Sequence, residues 1–328
     1  MPRVGITHRT EYRYAAKVAF GDHRLMTRPR DSHDLRLIEA TLAFSPGATL
    51  RWKHDVFGNS VAVASFADRA ETLSIESRIL LDHFPPEPAD FAAMVEPCAE
   101  TVPFAYAPEE VPDLGRTAER HYPDPDRQVD AWAKRFLSPD RPTRTAALLS
   151  GMTQVIRSDF RYEARYEEGT RPPTETLARG AGACRDLALL MMEACRSLGL
   201  AARFVSGYLY DAGPGGGGTA VTGGGATHAW CDVYLPGAGW VEFDPTNGLV
   251  GGRNLIRVAV ARDPSQAVPI SGSFVGRPGD FLGLSVGVTV SVAQAGAGAP
   301  APERTPATGE VAGDPAGLMP PAPWLPAP

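Results

Sequence analysis

The stretch GAGACRDLALLMMEACRSLGL, residues 180–200, constrains the fold more than any other part of the chain. Small residues lead into a segment where Leu187, Leu190, Met191, Ala194 and Leu198 recur at helical spacing, so a helix here must bury a face. Cys195 falls on the same stripe and reads as a small buried hydrophobe. Helical patterns precede it at residues 127–137, 143–160 and 174–180, and β patterns follow at 201–210, 227–235 and 239–246. Helices in a block followed by strands in a block specify an α+β fold, not alternating βαβ units.

The first hundred residues are different. Segments 4–15, 35–45, 49–57, 60–67 and 71–84 are rich in β-branched and aromatic residues and are separated by turn signals such as SPGA and FGNS. They predict an antiparallel β-sandwich-like domain over residues 1–105. Proline-rich sequence marks a linker at 106–126, and the α+β core is expected over 127–293. Residues 294–328 are rich in Pro, Gly and Ala and carry no periodicity, which predicts a disordered C-terminal tail.

A net charge of −6 without any Lys/Arg-rich run argues against nucleic acid and anionic membrane as partners. The N-terminus shows no apolar signal region and no long apolar run follows, so a cytoplasmic location is expected. Four cysteines are too few for a disulfide framework in a chain of this length. Zinc is disfavoured as well. Cys184 and Cys195 lie roughly 16 Å apart along one helix, and His228 and Cys231 point to opposite faces of a strand. No metal or other cofactor is therefore expected.

Cys184 precedes the apolar stripe and occupies the helix start, where unpaired backbone N–H groups and the helix dipole favour negative charge. The same N–H groups can hold an oxyanion formed beside the sulfur, and Gly180 and Gly182 leave room for a carbonyl to approach. On this evidence alone Cys184 can be an inert thiol or a nucleophile. A nucleophilic cysteine needs a general base, and the base needs an orienting acceptor. His228 and Asp244 on the later strands offer both, provided their register puts them on one face. A three-residue turn at 235–237 places Asp244 directly across from His228, and one at 236–238 makes them diagonal neighbours. A plain four-residue turn at 236–239 separates them. Asp186 in the first helical turn reads as a capping residue. Residues 213–225 hold eight glycines and form either a lid or a disordered loop. A phosphate loop is disfavoured there, because a strand follows and GK[ST] is absent.

Taken together, GACRD at 182–186, ARFVSGY at 202–208, HAW at 228–230 and GWVEFDPTN at 239–247 resemble the bacterial transglutaminase-like cysteine enzymes. The β-rich start, with YRY, HRLMTRPR and DVFGNS, resembles the N-terminal domain that accompanies this core. The resemblance implies a papain-like, transglutaminase-like α+β core with Cys184 as nucleophile, His228 as base and acid, and Asp244 as the orienter of His228. It implies acyl transfer from an amide, peptide or isopeptide bond. Hydrolysis is slightly favoured over transfer to an amine, and a silent binding or assembly module is a further alternative. Arg185 stands where a glutamine is common and suggests a carboxylate-bearing substrate. Trp230 and Trp240 are expected to wall the site, and Tyr162, Tyr166 or Tyr208 to supply a second oxyanion donor. The expected partner is a peptide or protein amide.

Overall fold

The computed structural model describes residues 2–84, 91–165, 167–210 and 226–294. Two β-sheets build the N-terminal module from strands β1 (Pro2–Phe20), β2 (His23–Leu25), β3 (Leu35–Ser45), β4 (Ala48–His54), β5 (Ser60–Phe66) and β6 (Ala70–His83). In β6 every second residue from Leu73 to His83 is buried, the period-two pattern of a half-covered strand. Tyr14, Val18, Phe20, Leu25, Ala62, Ala64, Leu73 and Ile75 from both sheets fill the space between them, so the expected sandwich is present.

The core contains helices α1 (Gln128–Lys134), α2 (Thr145–Asp159), α3 (Pro173–Arg179) and α4 (Cys184–Ser197). They pack with an antiparallel sheet of β7 (Ala202–Leu209), β8 (His228–Leu235), β9 (Gly239–Asp244) and β10 (Leu255–Ala261). The sheet order is β9-β8-β7-β10, with the short strand Leu249–Val250 outside β9. Helix α4 lies on β8 and β7. The sequence shows an amphipathic helix, yet Glu193 and Arg196 on its far side are buried too. Their charges are met locally. Glu193 accepts from Arg196 Nη1 at 2.9 Å and from the backbone N–H groups of His121 and Tyr122. Arg196 donates to the carbonyls of Thr117, Ala202 and Arg262. Residues 106–126, expected to be a linker, thus cover the polar back of α4, and Tyr106 Oη takes the N–H of Ala201 at 2.7 Å.

The expected boundary at residue 293 also differs from the structure. A strand not anticipated in the sequence, β11 (Phe281–Gln294), leaves the core and pairs with β1 from Pro2↔Gln294 to Tyr14↔Phe281. Ile270–Ser271 and Phe274–Val275 likewise pair with β2 and β1. A strand's own pattern fixes which face is apolar but not which strand it pairs with, so this return is invisible locally. The module and the core also share packing. Val4, Ile6, Ile79 and Leu81 meet Tyr208, Tyr210, Ile256 and Val258, and residues 1–295 form one compact unit. The predicted tail lies outside the described residues.

Candidate active site

The nucleophile candidate is placed by a short crossing of backbone. Helix α3 ends at Gly180, whose φ of 59° is the left-handed cap that glycine adopts without strain. Ala181–Gly182 then pairs in parallel with Arg161–Tyr162 and delivers the chain into α4 at Cys184. Gly182 has a packing reason as well: a Cβ there would lie 2.9 Å from Asp186 Cβ. Gly180 thus serves the turn, with open space where a Cβ would stand, and Gly182 serves the helix start. Cys184 is 9% exposed, while Cys195 and Cys231 are fully buried. Burial pushes the Cys195 thiol up to about 12 and raises Cys231 well above its ordinary value, which leaves both inert.

Register decides whether the histidine and aspartate meet. Leu235 pairs with Gly239 and Cys231 with Phe243, so the hairpin turn is Pro236–Ala238. This is the diagonal arrangement, and His228 and Asp244 share a face. His228 Nε2 lies 2.8 Å from Asp244 Oδ2, and both side chains are fully buried. Burial opposes charge on the imidazole. The Asp244 carboxylate and its hydrogen bond, with the Cys184 thiol, outweigh that and raise His228 to about 10. With Nε2 on Asp244, Nδ1 is the nitrogen left for sulfur; it is buried and has no hydrogen-bond partner among the described residues.

Asp244 is itself fixed. Its Oδ1 accepts the backbone N–H of Thr246 at 3.0 Å and of Asn247 at 3.3 Å, and its Oδ2 accepts Asn247 Nδ2 at 2.8 Å. Burial would raise this carboxyl, but His228, Asn247 and Thr246 hold it below its usual range. Thr246 and Asn247 thus join the site, although in the sequence they stand only as the end of the GWVEFDPTN motif. The signal was available, because Asp-Pro-Thr-Asn is the composition of an Asx-type turn.

The remaining candidates separate. Arg185 does not face a carboxylate: its guanidinium donates to the carbonyls of Gly169 at 2.7 Å, Glu167 at 2.6 Å and Arg165 at 3.2 Å. It ties Arg165, Glu167 and Gly169 down beside Cys184. Asp186 caps the helix as expected, taking Ala183 N–H at 3.0 Å, and adds an ion pair to Arg165 at 3.0 Å and the N–H of Arg171 at 2.8 Å. Tyr208 is buried at the seam with the N-terminal module, its hydroxyl 3.1 Å from His8 Nδ1, and so supplies no oxyanion donor. Trp230 is fully buried and stacks on His228 with ring centroids 6.1 Å apart, a support for the histidine and not a wall open to substrate. Trp240 pairs across from Tyr234 at the turn end of the hairpin and lies under Arg203 at 4.1 Å, four residues along the strand from Asp244. Tyr162 lies directly beside Gly182. Tyr166 and the glycine-rich loop at 213–225 lie outside the described residues.

Residues 4–82 match the bacterial transglutaminase-like N-terminal region, and residues 130–245 match the transglutaminase-like superfamily. An uncharacterized protein of Mycobacterium tuberculosis, Rv2569c, is 29% identical over 277 residues, covering 82% of this chain and 87% of its own. The uncharacterized protein ML0607 of Mycobacterium leprae is 34% identical over 115 residues, 35% of this chain and 40% of its own. Among solved structures, a protein from Cytophaga hutchinsonii described as a candidate cysteine protease superposes with a TM-score of 0.64 at 18% identity. It covers 89% of this chain and 90% of that one.

Proposed function

We propose that this chain, a transglutaminase-like core joined to the bacterial transglutaminase-like N-terminal region, is a thiol-dependent acyl-transfer enzyme. Its triad is Cys184, His228 and Asp244. The observation that carries this reading is the buried His228, held by Asp244 on one nitrogen and next to the Cys184 thiol. A histidine with that preference for its proton accepts it from Cys184 and stabilises the thiolate as an ion pair. The thiolate adds to the carbonyl of an amide, peptide or isopeptide bond. The oxyanion is met by N–H groups at the start of α4. Collapse expels the amine, protonated by His228, and leaves a thioester on Cys184. Water activated by His228 then releases the acid and restores the thiol. Water is the simplest acceptor, since it requires no second binding site.

Iodoacetamide labelling near neutral pH, read by mass spectrometry at each cysteine, tests the site. Cys184 should react fastest, although Cys98 is the exposed thiol, and His228→Ala should abolish the difference. Equal rates at Cys184 and Cys98 would refute an activated nucleophile and favour a silent module. Incubating glutamine-containing peptides with a labelled amine separates the outcomes. Released acid without incorporation supports hydrolysis, and incorporated amine assigns transfer instead.

A further inference from the structure

Two N-terminal motifs, HRLMTRPR and DVFGNS, play no part in the triad, yet they meet. Asp55 Oδ1 accepts the N–H groups of Phe57 and Asn59, each at 2.9 Å, which shapes the turn. Asn59 then clips the turn to the core: its Nδ2 donates to Val260 O at 2.7 Å and its Oδ1 accepts Val260 N–H at 3.0 Å. The guanidinium of Arg30 lies against Gly58, where a Cβ would collide with Nη1. Between this corner and the face of β7, β9 and β10 is a cavity of about 300 Å³, lined by Arg30, Asp31, Asp34, Arg203, Glu242 and Arg257 among others.

The cations and acids of this cavity are unequally matched. Asp31 Oδ1 takes the N–H of Leu37 at 2.6 Å, and Asp34 is bonded by Ser32 and by Arg257 at 3.3 Å. Glu242 accepts Arg257 Nη1 at 3.0 Å. Burial and the neighbouring Asp232 charge raise Glu242 to about 8. Arg203 uses Nε on Asp232 at 2.9 Å, and its Nη groups have no acceptor among the described residues. Arg30 has no hydrogen bond or ion pair among the described residues. The acids around the cavity are thus met by the Leu37 N–H, by Ser32, by Arg257 and by Nε of Arg203, with donors left over on Arg30 and on the Nη groups of Arg203.

We propose that this cavity binds a small oxyanion, a carboxylate or a phosphate, between Arg30 of the N-terminal module and Arg203 of the core. Guanidinium forks suit both groups through paired N–H donors. A ligand held there bridges the two parts of the molecule and stabilises the folded chain by mass action.

The test is thermal unfolding of the full chain with inorganic phosphate or succinate at about 10 mM, in the unaltered protein, Arg30→Ala and Arg28→Ala. Arg28 lies over Trp52 and does not line the cavity, so it controls for loss of a surface arginine. The expected result is a midpoint raised by a few degrees in the unaltered protein and in Arg28→Ala, and unmoved in Arg30→Ala. A response to phosphate alone or succinate alone supports the site and identifies its oxyanion. Equal responses in all three proteins, the mark of general salt stabilisation, overturn the proposal, as does no response in any.

Discussion

Replacing His8 and His83 together by asparagine should make the protein markedly less sensitive to acid. Both histidines reach from the N-terminal module to alternate residues of the segment beginning with β7: His8 Nδ1 to Tyr208 Oη at 3.1 Å, His83 Nδ1 to Tyr210 Oη at 2.8 Å. Tyr210 spends its own proton on Arg253 O, so His83 must donate through Nδ1–H. Burial lowers each imidazole to about 4. The folded state therefore keeps them neutral, while the unfolded chain protonates them near 6.5. Their stabilising contribution is complete above that value and is lost as pH falls toward 4. A gap of about 2.5 pH units corresponds to about 3.4 kcal/mol for each histidine. About half of that, close to 2 kcal/mol apiece, should be lost between about pH 7 and pH 5, a large share of ordinary domain stability. Glu242 works in the opposite sense over this range, because its raised pKa gives the folded state the extra proton. It is common to both proteins and cancels in their difference. Urea unfolding followed by tryptophan fluorescence at the two pH values measures the effect. The unaltered protein should lose about 3–4 kcal/mol more than the double variant. Parallel losses in the two proteins would show that these histidines do not stay neutral in the folded state.

Two further perturbations address the triad. Asp244→Asn removes the charge that raises His228, so the alkaline limb of the pH–rate profile should move down from near 10, with kcat lower by at least about 100-fold; an unmoved limb would argue against the assigned pair. Gly207 sits directly opposite His228, and a Cβ there would collide with Ile256 O and come within 2.8 Å of Trp230. Gly207→Ala should therefore cost about 3 kcal/mol of stability and displace the indole that stacks on His228, lowering kcat more than it changes KM. Wild-type stability in this variant would contradict the packing described.

Much of the site could be read from the residues because its chemistry is local in sequence. Cys184 stands at a helix start, and the even sum of paired positions in one short hairpin decides whether His228 and Asp244 meet. Roles that depend on a distant partner were not legible. Nothing near Arg185 says that its three acceptors are carbonyls of residues 165, 167 and 169. Nothing near Tyr208 says that a histidine two hundred residues earlier will take its hydroxyl. Strand β10, with its apolar run, and β11, with its alternation, carry ordinary β patterns that were not anticipated after the DPTN turn. For β11 the partner strand lies at the other end of the sequence.

That pairing has a consequence for how the chain assembles. During synthesis β1 emerges before its partners, and β6 and then β3 can zip onto one side of it, but its other edge waits for residues 281–294. Until then a long row of backbone donors and acceptors stands open, a template for another chain. The core, whose pairings span shorter loops, can close before the first sheet is complete. Completion of the sandwich should therefore come late and depend on concentration, and chains cut before residue 281 are the ones to expect in aggregates.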